Sequence, residues 1–225
     1  MRPTPVRAAA IFDLDGTLVD TADDLAASMN VALEAAGLAH VDPGEVRGLV
    51  GHGARRMLSR GFEIAAGRAA EEAELDAGLS IFLDHYGANI AVHSRPFEGV
   101  AELIADLREG GWGVAICTNK REALARQLID ALSLRDAFDV IVGADTTSAS
   151  KPDPAPVRLC LSATSADRGV FFGDSDTDIL AANAAGVPCF VADFGYGPLT
   201  RAAQAAGVFS SYHDVAQRLR RGAFP

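Results

Sequence analysis

A chain of 225 residues, 49% hydrophobic and 22% charged, carries enough apolar side chains to bury one large core or two smaller ones. Its formal net charge of −10 speaks against a nucleic-acid partner, which calls for a basic face, and means that any bound anion must rely on local positive charge. The apolar run that follows Arg2 and Arg7 stops at Asp13 and no stretch reads as a signal peptide or membrane span; the three cysteines (Cys117, Cys160, Cys189) have no metal spacing, so a cytoplasmic protein with buried, inert thiols is expected.

In chain order, Ala8–Phe12 reads as a buried parallel strand that ends on Asp13-Leu14-Asp15-Gly16-Thr17. Gly16 lets the backbone turn, so both carboxylates fall at the carboxyl edge of a sheet, where open α/β sheets bind ligands. Two such charges are costly unless a cation lies between them or one is protonated, and a hard ion such as Mg²⁺ takes oxygen ligands. By itself the stretch also fits a turn with solvated aspartates. Next, Thr21 and Asp24 suggest a capping box, and Leu25, Met29, Ala32, Leu33 and Ala36 mark a helix face that ends at Gly37. Asp42-Pro43 with Glu45 opens a second helix, Gly51-His52-Gly53 interrupts, and a third runs from Ala54 toward Ala65. Leu75, Leu79, Phe82, Leu83, Tyr86 and Ile90 recur at helical spacing on a longer one. No strand is expected between 21 and 92.

From Ser94-Arg95-Pro96 onward the pattern alternates. A helix carrying Val100, Leu103, Ile104 and Leu107 ends at Gly110-Gly111 and precedes a strand at Gly113–Cys117. Leu124, Leu128, Ile129 and Leu132 mark the next helix, Phe138–Val142 a strand, and Ala155–Ala163 a helix. Val170–Phe172, Ile179–Ala185 and Val187–Ala192 then read as strand, helix and strand. Such repeats imply an α/β fold: a doubly wound parallel sheet, Rossmann-like, with an inserted α-helical cap. The expected division is a discontinuous core, 1–19 and 95–225, and a cap over 20–94.

Each strand is followed by polar residues: Asp13 and Asp15; Thr118-Asn119-Lys120; Gly143 and then Lys151-Pro152-Asp153-Pro154; Gly173-Asp174-Ser175-Asp176-Thr177-Asp178. Convergence of all four on one sheet edge suits phosphoryl transfer. A carboxylate can attack phosphorus, a second can trade the proton of the leaving group, and hydroxyl, backbone N–H and ammonium donors can hold the phosphoryl oxygens. A calcium loop at Asp174-x-Asp176-x-Asp178 fails, because the sixth position is Ile179 and the twelfth Ala185.

Asp13-Leu14-Asp15-Gly16-Thr17, Thr118-Asn119, Lys151-Pro152-Asp153-Pro154 and Gly173-Asp174-x-x-x-Asp178 resemble, in order, the four motifs of the haloacid dehalogenase superfamily, and within it the phosphoglycolate phosphatase group. The resemblance implies Asp13 as nucleophile and Mg²⁺ ligand, and Asp15 as general acid/base and metal ligand through its main-chain carbonyl. It further implies Thr118 and Lys151 as grips on the phosphoryl group, Asp174 as the remaining metal ligand and Asp178 in support. Gly16, Thr17 and Asn119 fall in the same substrate-binding motifs.

The core motifs recognise only a phosphoryl group, so selectivity is expected from the cap loop Val50-Gly51-His52-Gly53-Ala54-Arg55-Arg56. Arg55 is the candidate there for a bidentate grip on a small carboxylate, and 2-phosphoglycolate the expected substrate, with a solvated helix residue as the plain alternative. A sugar-phosphate phosphatase, a nucleotidase or a phosphoglucomutase-type enzyme keeps the same core. A dehalogenase would have no need of Asp15, and a non-catalytic receiver-like phospho-acceptor would lack the helical insertion. Hinges are expected at Val19-Asp20 and Ser94-Pro96; the partner is a small phosphorylated metabolite, and the protein a monomer or homodimer.

Overall fold

The computed structural model describes residues 7–197 and 199–221; Arg2 and the outer ends of the expected core segments lie outside the described residues. Six strands form one parallel sheet: β1 (Ala8–Phe12), β4 (Gly113–Cys117), β5 (Val140–Val142), β6 (Arg168–Gly173), β7 (Cys189–Ala192) and β8 (Gly207–Phe209), in the order β5-β4-β1-β6-β7-β8. β1 is fully buried and lies between β4 and β6, with Ile11 opposite both Ala115 and Phe171. That position explains why it reads as an unbroken apolar run.

Successive residues of a strand point to opposite faces, and the core divides accordingly. Ala10 and Phe12 join Val114, Ile116, Val170 and Phe172 in one cluster; Ala9 and Ile11 join Ala115, Cys117 and Phe171 in the other. The second face is covered by α7 (Ala155–Ala163) and α8 (Asp176–Ala185) through Val157, Cys160, Ile179 and Ala182. The first is covered by α5 (Val100–Glu109), α6 (Glu122–Ala131) and α9 (Tyr212–Arg220), and runs on without a break into the helical insertion.

That insertion comprises α1 (Ala22–Ala35), α2 (Pro43–Arg47), α3 (Ala54–Ala66) and α4 (Glu72–Ala88). Met29 and Leu33 of α1, Leu58 and Phe62 of α3, and Phe82 and Tyr86 of α4 are buried together. The chain enters and leaves through a two-residue antiparallel ladder of β2 (Val19–Asp20) and β3 (Arg95–Pro96), with Val19 opposite Pro96 and Asp20 opposite Arg95. The expected capping box at Thr21 and Asp24 does not form. Thr21 has φ −113° and ψ 0°, helical rather than extended backbone, so its side chain makes no capping bond. The buried Asp24 instead accepts from the backbone N–H of His93 and Ser94 and from Ser94 Oγ at 2.6 Å, tying the exit of the insertion to its first helix.

Four elements also change their bounds, β6 among them, which runs over Arg168–Gly173 where Val170–Phe172 was expected. β5 starts at Val140 because Arg135–Ala137 forms a short 3-10 turn, β7 starts at Cys189, and α8 starts at Asp176, so Asp178 lies in the first turn of a helix and not in a loop. β8 and α9 were not anticipated: a three-residue strand containing Gly207 carries little pattern, and α9 follows it directly.

Candidate active site

The carboxyl end of β1 continues the sheet one residue further, since Asp13 N–H donates to Phe172 O at 2.8 Å. Gly16 then turns at φ 82°, where a Cβ would stand 2.4 Å from Asp174 Oδ2, so only glycine lets this loop close on Asp174. Asp13 Oδ1 accepts from Leu14 N–H at 2.7 Å and pairs with Lys151 Nζ at 2.9 Å. Lys151 Nζ also pairs with Asp178 Oδ1 at 2.6 Å. Asp178 Oδ2 accepts from the N–H of Asp174 and Ser175 and from Ser175 Oγ, and Ser175 Oγ in turn caps α8. Asp174 accepts from Thr17 Oγ1 at 2.9 Å and from Tyr196 N–H at 3.1 Å. All of these carboxylates and Lys151 are buried.

Asp13, Asp174 and Asp178 bring carboxylate oxygens within 4.8 Å of one another. Burial, reinforced by Asp178 and Asp15 and offset by Lys151, pushes the Asp13 carboxyl up to about 7. Burial, reinforced by Asp178 and Asp13, pushes Asp174 up to about 8. Burial alone would lower the Lys151 pKa, but Asp13 and Asp178 outweigh it and hold the ammonium charged. One cation thus faces three acids, and two of them are held against ionisation. Hard oxygen donors that repel one another fit a divalent cation such as Mg²⁺. Asp178 is ion-paired to Lys151 through Oδ1 and accepts three bonds at the helix start through Oδ2, whereas Asp174 has one neutral donor on each oxygen and Asp13 keeps Oδ2 open, so Asp13 and Asp174 are the side chains better suited to ligation and Asp178 to support.

Asp15 is held differently. Its Oδ1 accepts from Thr21 Oγ1 at 2.7 Å and pairs with Lys120 Nζ at 2.8 Å. Lys120 Nζ also donates to Tyr86 OH at 3.0 Å and lies 4.5 Å from the centre of that ring. Burial works to lower the Lys120 pKa, yet Asp15 and Tyr86 more than reverse it. Thr118 continues β4, with its N–H on Val142 O at 2.9 Å, and its hydroxyl accepts from Lys120 N–H at 3.1 Å. Asn119 Nδ2 bridges Gly51 O of the insertion and Lys151 O of the core, at 3.2 and 3.1 Å.

A cavity of about 630 Å³ separates these residues from α3 and α4; Asp13, Asp15, Thr118, Asn119 and Lys120 line its floor, and Leu79, Phe82 and Leu83 its far wall. Gly16, Thr17, Lys151 and Asp174 stand outside the lining, with Thr17 committed to Asp174. Arg55 reaches the rim, but the expected open guanidinium does not: Nη1 binds Asp76 at 2.6 Å and Nη2 binds Glu72, both on α4. Two acids four residues apart on one helix face form a fork that suits a guanidinium, which is why Arg55 turns to its own side of the cleft. His52 stands beside it at the cavity's edge. It is exposed, its Nδ1 lies 3.4 Å from Thr177 Oγ1, and partial desolvation, then Arg56, lowers its pKa.

Three residues around Asp13 and Asp15 went unassigned in the sequence. Lys120 stood beside Asn119 with no role. Tyr86 read as one member of an apolar stripe, and its hydroxyl was the unused signal. Tyr196, whose OH donates to Asp20 Oδ1 at 2.8 Å and accepts from Thr21 N–H at 2.6 Å, sits in a loop with no motif.

Residues 10–192 match the haloacid dehalogenase-like hydrolase family. The phosphoglycolate phosphatase of Mesorhizobium japonicum is 44% identical over 224 residues, covering 96% of this chain and 98% of that protein. The phosphoglycolate phosphatase of Caulobacter vibrioides is 43% identical over 191 residues, 84% of this chain and 80% of the relative. Among solved structures, a predicted phosphoglycolate phosphatase from Haemophilus somnus superposes with a TM-score of 0.87 at 28% identity, covering 94% and 97% of the two chains. CbbY from Rhodobacter sphaeroides, solved in complex with phosphate, gives 0.78 at 27% identity over 93% and 96%.

Proposed function

Because the chain belongs to the haloacid dehalogenase-like hydrolase family and is a phosphoric monoester hydrolase, we propose that it hydrolyses 2-phosphoglycolate through an aspartyl-phosphate at Asp13. The observation that carries the reading is the placement of Asp13 and Asp15 on the floor of one cavity, each fixed by a different lysine. Matches to two phosphoglycolate phosphatases over 96% and 84% of this chain support the choice of substrate.

Both described bonds to Asp13 fall on Oδ1, so Oδ2 is the atom to attack phosphorus in line. Both bonds to Asp15 likewise fall on Oδ1, so Oδ2 is the atom to exchange a proton. The attack forms the Asp13 Oδ2–phosphorus bond and expels glycolate, whose oxygen takes the proton from Asp15. Asp15 then removes a proton from a water that attacks the same phosphorus; phosphate leaves and Asp13 is restored. Thr118 and Lys151 hold phosphoryl oxygens, with Gly16, Thr17 and Asn119 shaping the loops around them. Asp13, Asp174 and the Asp15 carbonyl would hold Mg²⁺, which when bound neutralises phosphoryl oxygens and the carboxylate repulsion. The helices α1–α4, residues 20–94 with their linkers, serve as a lid on the core formed by 1–19 and 95–225, hinged at 19–20 and 94–96; closure excludes water during transfer.

The test is phosphate release from a panel of monoesters with Mg²⁺ present, ranked by kcat/KM. 2-Phosphoglycolate is expected first. A sugar phosphate or nucleotide ranked first would replace the substrate while keeping the chemistry.

A further inference from the structure

Among the cationic groups that line the cavity, Lys120 stands apart. Its side chain is 6% exposed, and its ammonium sits 2.8 Å from Asp15, in the middle of the floor. Arg55 is bound to Glu72 and Asp76, while Arg56 and Arg121 lie at the rim and are both exposed. An ammonium has three donors. Among the described residues two find acceptors, Asp15 Oδ1 and Tyr86 OH, and the side chain faces the cavity.

We propose that Lys120 is the residue that recognises the leaving group, its remaining N–H binding a carboxylate set one carbon from the ester oxygen. The claim rests on the phosphatase reading above and concerns the leaving-group half of the same site. The geometry limits the spacer. If Asp15 Oδ2 hands a proton to the ester oxygen, that oxygen lies against Asp15, and Lys120 Nζ is only 2.8 Å from the other oxygen of the same carboxyl. A ligand gripped at both points therefore keeps its anion and its ester oxygen within a few bond lengths. One intervening carbon meets this; a longer spacer carries the anion past Lys120 toward Arg56 and Arg121. The site also reports the lid. Tyr86 belongs to α4, so the hydrogen bond that orients the ammonium exists only while α4 is seated on the core.

Buried Lys–Asp pairs are also commonplace as structure, so the experiment must separate recognition from support. Wild type is assayed with 2-phosphoglycolate, its 3-carbon and 4-carbon ω-carboxyalkyl homologues, and ethyl phosphate, which has the same chain length as 2-phosphoglycolate but no carboxylate. The expected order falls steadily as the spacer grows, with ethyl phosphate last. Lys120→Gln is then assayed on the same set. Its preference for 2-phosphoglycolate over ethyl phosphate should collapse by about 10- to 100-fold, carried mainly by KM, since a charged hydrogen bond is lost. Equal losses on both esters would make Lys120 a support for Asp15 and overturn the inference. So would a wild type that prefers the longer homologues, a result that does not depend on the variant folding. Phosphate release from all esters alike overturns the Lys120 assignment and leaves the phosphatase standing; release from none of them, with activity on another monoester, overturns the substrate reading as well.

Discussion

Charge is handled in opposite ways on the two sides of the cleft. On the sheet side, Asp13, Asp174, Asp178 and Lys151 are buried, share hydrogen bonds, and include two acids that resist ionisation. On the helical side, Arg55 pairs with Glu72 and Asp76 in water, with 41%, 82% and 63% of the three side chains exposed. Removing one partner from a buried pair costs about 3–5 kcal/mol, whereas an exposed pair contributes roughly 0–1 kcal/mol. The sheet side is therefore rigid and costly to alter, and the helical side adjustable.

The sharpest way to test that contrast is at Asp13, the proposed nucleophile. Asp13→Asn should lower kcat by about three orders of magnitude or more, because an amide oxygen is a poor nucleophile. It also removes one of three crowded carboxylates, so the melting temperature without metal should hold or rise. Turnover near wild type in a folded Asp13→Asn protein would sink the covalent mechanism.

Next in size is the lysine behind it. Lys151→Met leaves Asp13 and Asp178 without their shared cation and should destabilise the fold by about 3–5 kcal/mol, read by urea unfolding at neutral pH. A loss below about 1 kcal/mol would put this cluster on the same footing as Arg55 and erase the contrast.

The pH dependence has a definite sign. Asp13 and Asp174 titrate in the folded protein near 7 and 8, above their ordinary value of 3.8, so the folded state binds more protons than the unfolded state between those limits. The stability they contribute is fully present below about pH 4 and is lost as pH rises through 7 to 8. Metal-free protein should melt at progressively lower temperature from pH 5 to 8, and Asp13→Asn should flatten part of that slope. Mg²⁺ should raise the melting temperature most at the alkaline end, and EDTA should reverse it. A melting temperature in EDTA that climbs with pH over this range would contradict the raised carboxyls.

These differences also decide what could be read from the chain alone. Ala8–Phe12 ending on Asp13-Leu14-Asp15-Gly16 was legible because burial on both faces and a forced turn each leave a residue-type signature. That each strand ends on a polar cluster followed from the βα alternation, and the family match supports the α/β reading. The pairing of Asp15 with Lys120 and Tyr86 was not legible. It joins residues from three separated segments, and Tyr86 fitted an apolar stripe equally well. The fork at Glu72 and Asp76 was missed because acids on an exposed helix face are ordinary, and only the fold brings Arg55 within reach of them. The last strand and helix were missed for a simpler reason: Gly207–Phe209 pairs only at the sheet edge and is too short to show alternation.

The smallest effect is expected where the sequence promised the most specificity. Arg55→Ala removes two exposed ion pairs from the ends of α3 and α4, whose packing rests on Leu58, Phe62, Leu75 and Phe82 instead. Stability should fall by less than about 1 kcal/mol. Because the guanidinium is already bound to two carboxylates, it brings little net positive charge to the cavity, and KM for 2-phosphoglycolate and for p-nitrophenyl phosphate should change alike and by less than about threefold, the equivalent of well under 1 kcal/mol. An anionic leaving group could still draw Arg55 away from Glu72 and Asp76. It would then have to displace both acids while presenting a single carboxylate in return, and Lys120 offers the same anion a buried partner at no such cost. A KM for 2-phosphoglycolate that rises tenfold in Arg55→Ala, with p-nitrophenyl phosphate unmoved, would show that this exchange takes place and would move recognition of the leaving group from the floor of the cleft to its rim.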